Sequence, residues 1–300
     1  MYHTAATRKE KEYIHEDFYG DLVRGETCGN EKAVELVAKA GFDAYDLSLF
    51  GMCRIDWSTM QPVDEGDPLA GPGYLETVRK IRRAAEDSGI HCNQSHAPFP
   101  SQVPQIHDRL KRAIECTAEA GGKICVIHPL FVMPFEENVE FYGELFPFAK
   151  AHGVKIATEN MYTWDKELDH CLAAACGTPE HFAGLLDAVN DPFLVACLDI
   201  GHTEMLGSGT NAPEMIRALG AEKLLALHVH DNDKIHDSHQ IPFSMSIDFD
   251  AVTAALREIG YRGYLTLEAD QYLGAFSDED TLKGLIDLAK AARRLADAAE

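Results

Sequence analysis

FLVACLDIGH (residues 193–202) and LLALHVHDND (224–233) decide how this chain folds. Each is an apolar run that stops on a side chain able to hold a metal, Asp199 in the first and His228 in the second. Short apolar runs bounded by polar loops read as strands buried on both faces. Working outward, the same signature returns at His96 in IHCNQSHAP, His128 in ICVIHP, Glu159 in VKIATEN and Glu268 in YLTLEAD. Successive members of the six are 32, 31, 40, 29 and 40 residues apart. A parallel strand, its crossover helix and the return take roughly 30 residues or more. The spacing therefore delivers all six to one rim, the C-terminal strand ends of a parallel (β/α)8 TIM barrel.

The intervening segments agree with this reading. EKAVELVAKAG is a helix closed by Gly41, followed by the strand FDAYDLSLF; residues 74–88 form an amphipathic helix ended by Gly89. Residues 104–120 put Ile106, Leu110, Ala113, Ile114 and Thr117 on one stripe before Gly121-Gly122. Strands at 123–128, 154–159, 193–199, 224–230 and 263–268 then alternate with helices at 136–151, 178–189, 212–219, 249–259 and 278–298. That makes seven clear strands. The eighth, first in the chain, falls either in YHTAATR or around residues 19–27, so residues 1–30 read as an N-terminal extension with a poorly defined first strand. The whole of 1–300 is expected to be a single domain. The irregular stretches 51–73, 160–177, 201–211 and 231–248 are expected to roof the mouth of the barrel. No G-x-G-x-x-G follows a strand, which removes the main support for a dinucleotide fold.

Composition narrows the function classes. A net charge of −22 opposes nucleic acid and anionic membrane surfaces, and no basic run offsets it. The eight cysteines form no C-x-x-C pair and sit mostly in apolar patterns, as reduced core thiols in a cytoplasmic protein do. The N-terminus is too polar for a signal peptide, and no apolar stretch is long enough to span a membrane.

The period of a strand puts Ala157 with Glu159, Cys197 with Asp199 and Thr266 with Glu268 on the inside of the barrel. Three carboxylates and an imidazole converging there, with no Lys or Arg in the strand ends, would be costly to bury. A divalent cation resolves the conflict, and a set of three oxygens and one nitrogen suits Mn2+, Mg2+, Co2+ or Zn2+. His202, three residues past Asp199, can reach the same cation or its substrate; His228 and His230 share one parity, so both can face inward. His91, His107, His152, His170 and His181 fall in loops, strand starts or helical faces and are read as non-functional.

Together SHAP, IHP, ATEN, D-x-G-H, H-x-x-D and LEAD, in this order over residues 31–295, resemble the sugar isomerase and epimerase superfamily with the xylose isomerase-like barrel, which also holds the endonuclease IV type of apurinic endonuclease. The resemblance implies a metal held by Glu159, Asp199, His228 and Glu268. It favours His228 over His230 because the ligand stands three residues before an acidic residue, here Asp231. For the endonuclease branch it implies further ligands at His96, His128, His202, Asp237 and His239. The expected activity is isomerisation or epimerisation of a small sugar or related polyhydroxy carbonyl compound through an enediolate, with Glu159 and Glu268 as acid and base and His202 polarising a substrate oxygen. His96, His128, His230, Asp237 and His239 are kept as additional metal or substrate residues. A trinuclear phosphodiesterase, a metal-dependent dehydratase of a sugar-like substrate and a non-catalytic sugar-binding barrel are the alternatives. The expected partner is a small carbohydrate, with neither nucleic acid nor membrane, and a homo-oligomer is compatible with the sequence.

Overall fold

The computed structural model describes residues 29–56, 59–63, 66–131 and 135–300. Both candidate positions for the first strand lie outside them. Six parallel strands form one curled sheet: β1 (Ala44–Ser48), β4 (His91–His96), β5 (Ile124–Val126), β6 (Lys155–Glu159), β9 (Leu194–Asp199) and β10 (Leu224–His228), adjacent in that order. The expected seventh strand shrinks to one parallel bridge, Val229 to Leu267, held by Val229 N–H to Thr266 O at 2.9 Å and Glu268 N–H to Val229 O at 3.0 Å.

Side-chain parity separates an inner from an outer core. Val126, Ala157, Val195, Cys197 and Ala226 form a small cluster inside the sheet, whereas Ile156, Leu198 and Leu227 pack outward against the helices. The helix Pro104–Ala120 shows how the outer layer is written: Ile106, Leu110, Ala113, Ile114 and Thr117 are all fully buried. It begins on a proline at its first position, where no amide is needed, and ends at Gly121 with φ 88°.

The loops hold more structure than their sequence suggests. Residues 51–73 contain an antiparallel pair, β2 (Arg54–Asp56) with β3 (Gln61–Val63), and 160–177 contain a second, β7 (Tyr162–Asp165) with β8 (His170–Ala173). Short helices follow two of the segments that carry candidate ligands, at Ile200–Glu204 and Asp270–Gly274, and the last helix starts at Thr281. Among the described residues no helix is long and apolar enough to cross a membrane, and the seven described cysteines are free thiols.

Candidate metal centre

The curled sheet carries Glu159, Asp199 and His228 at the last residues of β6, β9 and β10, and Glu268 just past the Leu267 bridge. None is more than 5% exposed. His228 Nδ1 stands 3.2 Å from Glu159 Oε1 and 3.1 Å from Glu268 Oε2, and candidate ligand atoms of all four residues lie within 4.8 Å of one another.

Two further groups adjoin this one. His96, at the end of β4, and His128, just past β5, bring their Nε2 atoms within 2.8 Å of each other and 3.8 and 3.2 Å from Glu159 Oε2. On the other side, His202, His230, Asp237 and His239 also bring ligand atoms within 4.8 Å of one another. Asp237 is their hub: its oxygens lie 3.3 Å from His202 Nε2, 3.4 Å from His230 Nε2 and 3.2 Å from His239 Nε2. Every candidate site residue read from the sequence thus falls in one of three contiguous groups.

The electrostatics fit a resident cation. Among the described residues, the ion pairs of Glu159, Asp199 and Glu268 are all with imidazoles, and Glu159 Oε2, Asp199 Oδ2 and Glu268 Oε2 are buried without a hydrogen bond. Buried carboxylate oxygens left in that state are costly unless a cation meets them. Burial disfavours charge on Glu159, but His228 and His128 outweigh it and hold the carboxyl well below its usual range. Burial likewise opposes charge on Asp199, and His202 and His230 overcome it in the same direction. His202 itself is raised to about 10, because Asp199 and Asp237 outweigh the burial that disfavours its cation. Without metal, the neighbouring imidazoles favour the charged form of Glu159 and Asp199.

Two residues that hold this arrangement, Asn160 and Gln94, carry no signal in the sequence, and a third, Asp231, enters it only as the acid that marks His228. Asn160, 1% exposed, ties β6 to β9 beyond their ladder: its Nδ2 donates to Asp199 O at 3.0 Å, and Asp199 N–H donates to its Oδ1 at 2.8 Å. Its backbone carbonyl lies 2.8 Å from His202 Nδ1, which leaves that ring's Nε2 facing Asp237. Gln94 lies behind His228, its Nε2 3.1 Å from His228 Nε2 and donating to Asp46 at 3.0 Å. Asp231 accepts the N–H groups of Met245, Ser246 and Ile247 at 2.8–3.1 Å, folding the 231–248 segment over the mouth. Glu159 in ATEN, Asp199 in D-x-G-H and Glu268 in LEAD were legible as candidate ligands, but a positioning Asn or Gln has no spacing of its own.

Comparison with known proteins agrees with the fold. The profile of the xylose isomerase-like TIM barrel family matches residues 34–295. An uncharacterised protein of Sinorhizobium fredii is 32% identical over 303 residues, covering 86% of this chain and 85% of its own. The structure of a D-tagatose 3-epimerase-like protein superposes with a TM-score of 0.64 at 21% identity, over 89% of this chain and 98% of the other. That of a D-allulose 3-epimerase from Methylomonas sp. gives 0.63 at 19% identity, over 91% and 92%. At these identities the structural likeness is one of fold.

Proposed function

This chain belongs to the xylose isomerase-like TIM barrel family, and from that premise we propose that it is a metal-dependent isomerase or epimerase of a small sugar or related polyhydroxy carbonyl compound. The observation that carries the reading is the pair Glu159 and Glu268. One ends β6 and the other follows the Leu267 bridge, and they reach the same His228 nitrogen, at 3.2 and 3.1 Å, at the rim where such barrels do chemistry. The epimerase neighbours in fold are consistent with it.

A divalent cation on Glu159, Asp199, His228 and Glu268 would supply Lewis acidity to a substrate carbonyl. The rest is work for the chain's own groups. Epimerisation takes a proton from one face of a C–H beside a carbonyl and returns one to the other face, so it needs two bases on opposite sides of a planar enediolate. Glu159 and Glu268 are those two bases. His202 is the candidate for polarising a substrate oxygen, and only through Nε2, since Nδ1 serves the Asn160 carbonyl. The free thiols suit a reducing compartment, so we place the protein in the cytoplasm.

Glu159→Gln and Glu268→Gln test this assignment. Each keeps an oxygen donor and removes the base, so metal content should largely survive while exchange of substrate hydrogen with solvent falls by about 10²-fold or more. Near-normal exchange in either variant would remove that residue from the proton path.

A second reading has its own support. The group His96, His128 and Glu159 would let further cations bind beside the first, as a metal-dependent phosphodiesterase requires. The net charge of −22 disfavours DNA as its substrate. Turnover of an activated phosphodiester without solvent exchange in any ketose would favour this reading over the first.

A further inference from the structure

Resting on the reading that His228 holds the cation, we propose that Gln94 and Asp46 decide which nitrogen of His228 carries its proton, with opposite effects on cation binding. Gln94 holds the ring in the form that excludes a cation from Nδ1. Asp46 receives the proton of Nε2 in the form that admits one. Both are positioning residues, and neither belongs to the ligands or bases assigned above.

A register shift in the sheet brings the pair together. β1 and β4 match Ala44 with His91 and Tyr45 with Cys92, then skip Asn93, so that Asp46 lies opposite Gln94. Irregularities of this kind re-aim side chains, and here two polar residues of neighbouring strands meet behind His228. Gln94 is 2% exposed and His228 0%. Gln94 Nε2 donates to Asp46 Oδ2 at 3.0 Å and stands 3.1 Å from His228 Nε2, while Thr266 Oγ1 donates to Gln94 Oε1 at 3.3 Å. A carboxylate only accepts, so Asp46 must face the amide nitrogen, and that nitrogen offers two N–H groups and no acceptor. His228 Nε2 therefore accepts the second N–H, and the neutral ring carries its own proton on Nδ1. That nitrogen faces Glu159 Oε1 and Glu268 Oε2, at 3.2 and 3.1 Å.

A cation on Nδ1 needs the lone pair that this proton occupies. The ring then gives up one proton at Nδ1 and binds one at Nε2, so its own proton count is unchanged. At Nε2 the proton meets an amide nitrogen that cannot accept it. Asp46 can. Its Oδ2 lies 3.8 Å from His228 Nε2, and among the described residues its buried Oδ1 accepts no hydrogen bond. A carboxylate behind a metal-binding histidine fixes the tautomer and raises the basicity of the ligating nitrogen. His228 thus exchanges its contact with Gln94 for one with Asp46 as a cation binds. The Gln94 contact, present only in the metal-free form, opposes binding, and the Asp46 contact favours it.

The test is nitrogen-15 NMR of full-length protein labelled in histidine, with and without zinc and with no substrate present. The His228 signals are assigned from their absence in His228→Gln, and two-bond nitrogen–proton correlations distinguish the two tautomers. Metal-free wild type should carry the His228 proton on Nδ1, and the zinc-loaded protein should carry it on Nε2. In competition titrations, zinc affinity should fall about 10-fold or more in Asp46→Asn, as for other residues that orient a ligand. In Gln94→Met it should rise, because the contact that opposes binding is gone. Loss of packing alone would lower both. A metal-free wild type protonated on Nε2, or an unchanged or lower affinity in Gln94→Met, would overturn the proposal and leave the cation on His228 standing. Zinc that leaves the His228 signals unmoved would overturn it together with the metal assignment. The wild-type spectra decide the matter even if neither variant folds. Solvent exchange into substrate, which tests the isomerase reading, plays no part in these outcomes.

Discussion

Asn160→Ala removes a side chain that never touches the candidate ligands' functional atoms, and its cost follows from the structure. The amide makes two hydrogen bonds to the Asp199 backbone, at 2.8 and 3.0 Å, in a position 1% exposed. Alanine leaves a buried N–H and a buried C=O without partners, at about 1–3 kcal/mol each, so about 2–5 kcal/mol in all once partial rescue by water is allowed. In a chain of this size that corresponds to a fall in Tm of roughly 3–8 °C. Metal-free protein followed by circular dichroism reads this directly. The second consequence is functional. His202 is held by the Asn160 backbone carbonyl, which survives the substitution, so its ring should stay in place. Asp199 instead loses its anchor, and cation affinity should fall about 10- to 100-fold, as for other residues that orient a ligand. A Tm within about 1 °C of wild type, together with unchanged zinc affinity in a competition titration, would refute the clamp.

Three further outcomes are expected. Leu110→Ala in the fully buried stripe of the helix Pro104–Ala120 should destabilise by about 2–5 kcal/mol in urea unfolding, with metal stoichiometry unchanged. Thr178, whose side chain accepts the His181 N–H at the start of the helix Pro179–Val189, should cost about 1 kcal/mol as alanine by the same measurement. In metal-free protein, His202 titrates near 10 instead of its ordinary 6.5. Since the folded value is the higher one, its contribution to stability is full below about pH 6.5 and disappears as pH rises towards 10. Thermal melts across that range should decline in wild type and flatten in His202→Gln; parallel curves would contradict the assignment.

The barrel was legible because six strand ends carry unusual side chains in phase, and because a period of two puts Ala157 and Cys197 inside with Glu159 and Asp199 while Ile156 and Leu198 face the helices. What escaped the sequence reading was short or distant. β2 and β3 are three residues each, too short for a period to show, and the pair formed by β7 and β8 is held by its cross-strand ladder within a stretch without clear alternation. The segment 263–268 reads as a full strand, and among the described residues it makes one bridge, Leu267 to Val229. Within the candidate centre the expected ligands were legible by residue type. The contacts that orient them were not, since pairing His239 with Asp270 or Asn160 with Asp199 depends on how separate loops meet in space.

The central claim is that two carboxylates move a proton beside a carbonyl with a divalent cation in attendance. It is tested most directly by incubating cation-loaded protein in D2O with a panel of ketoses and following substrate C–H signals by NMR. The account predicts deuterium entering the carbon beside the carbonyl of at least one sugar as its epimer or isomer appears, and no incorporation after chelation. Turnover of a sugar with no solvent deuterium in the product, or undiminished turnover by protein shown to be metal-free, would contradict it.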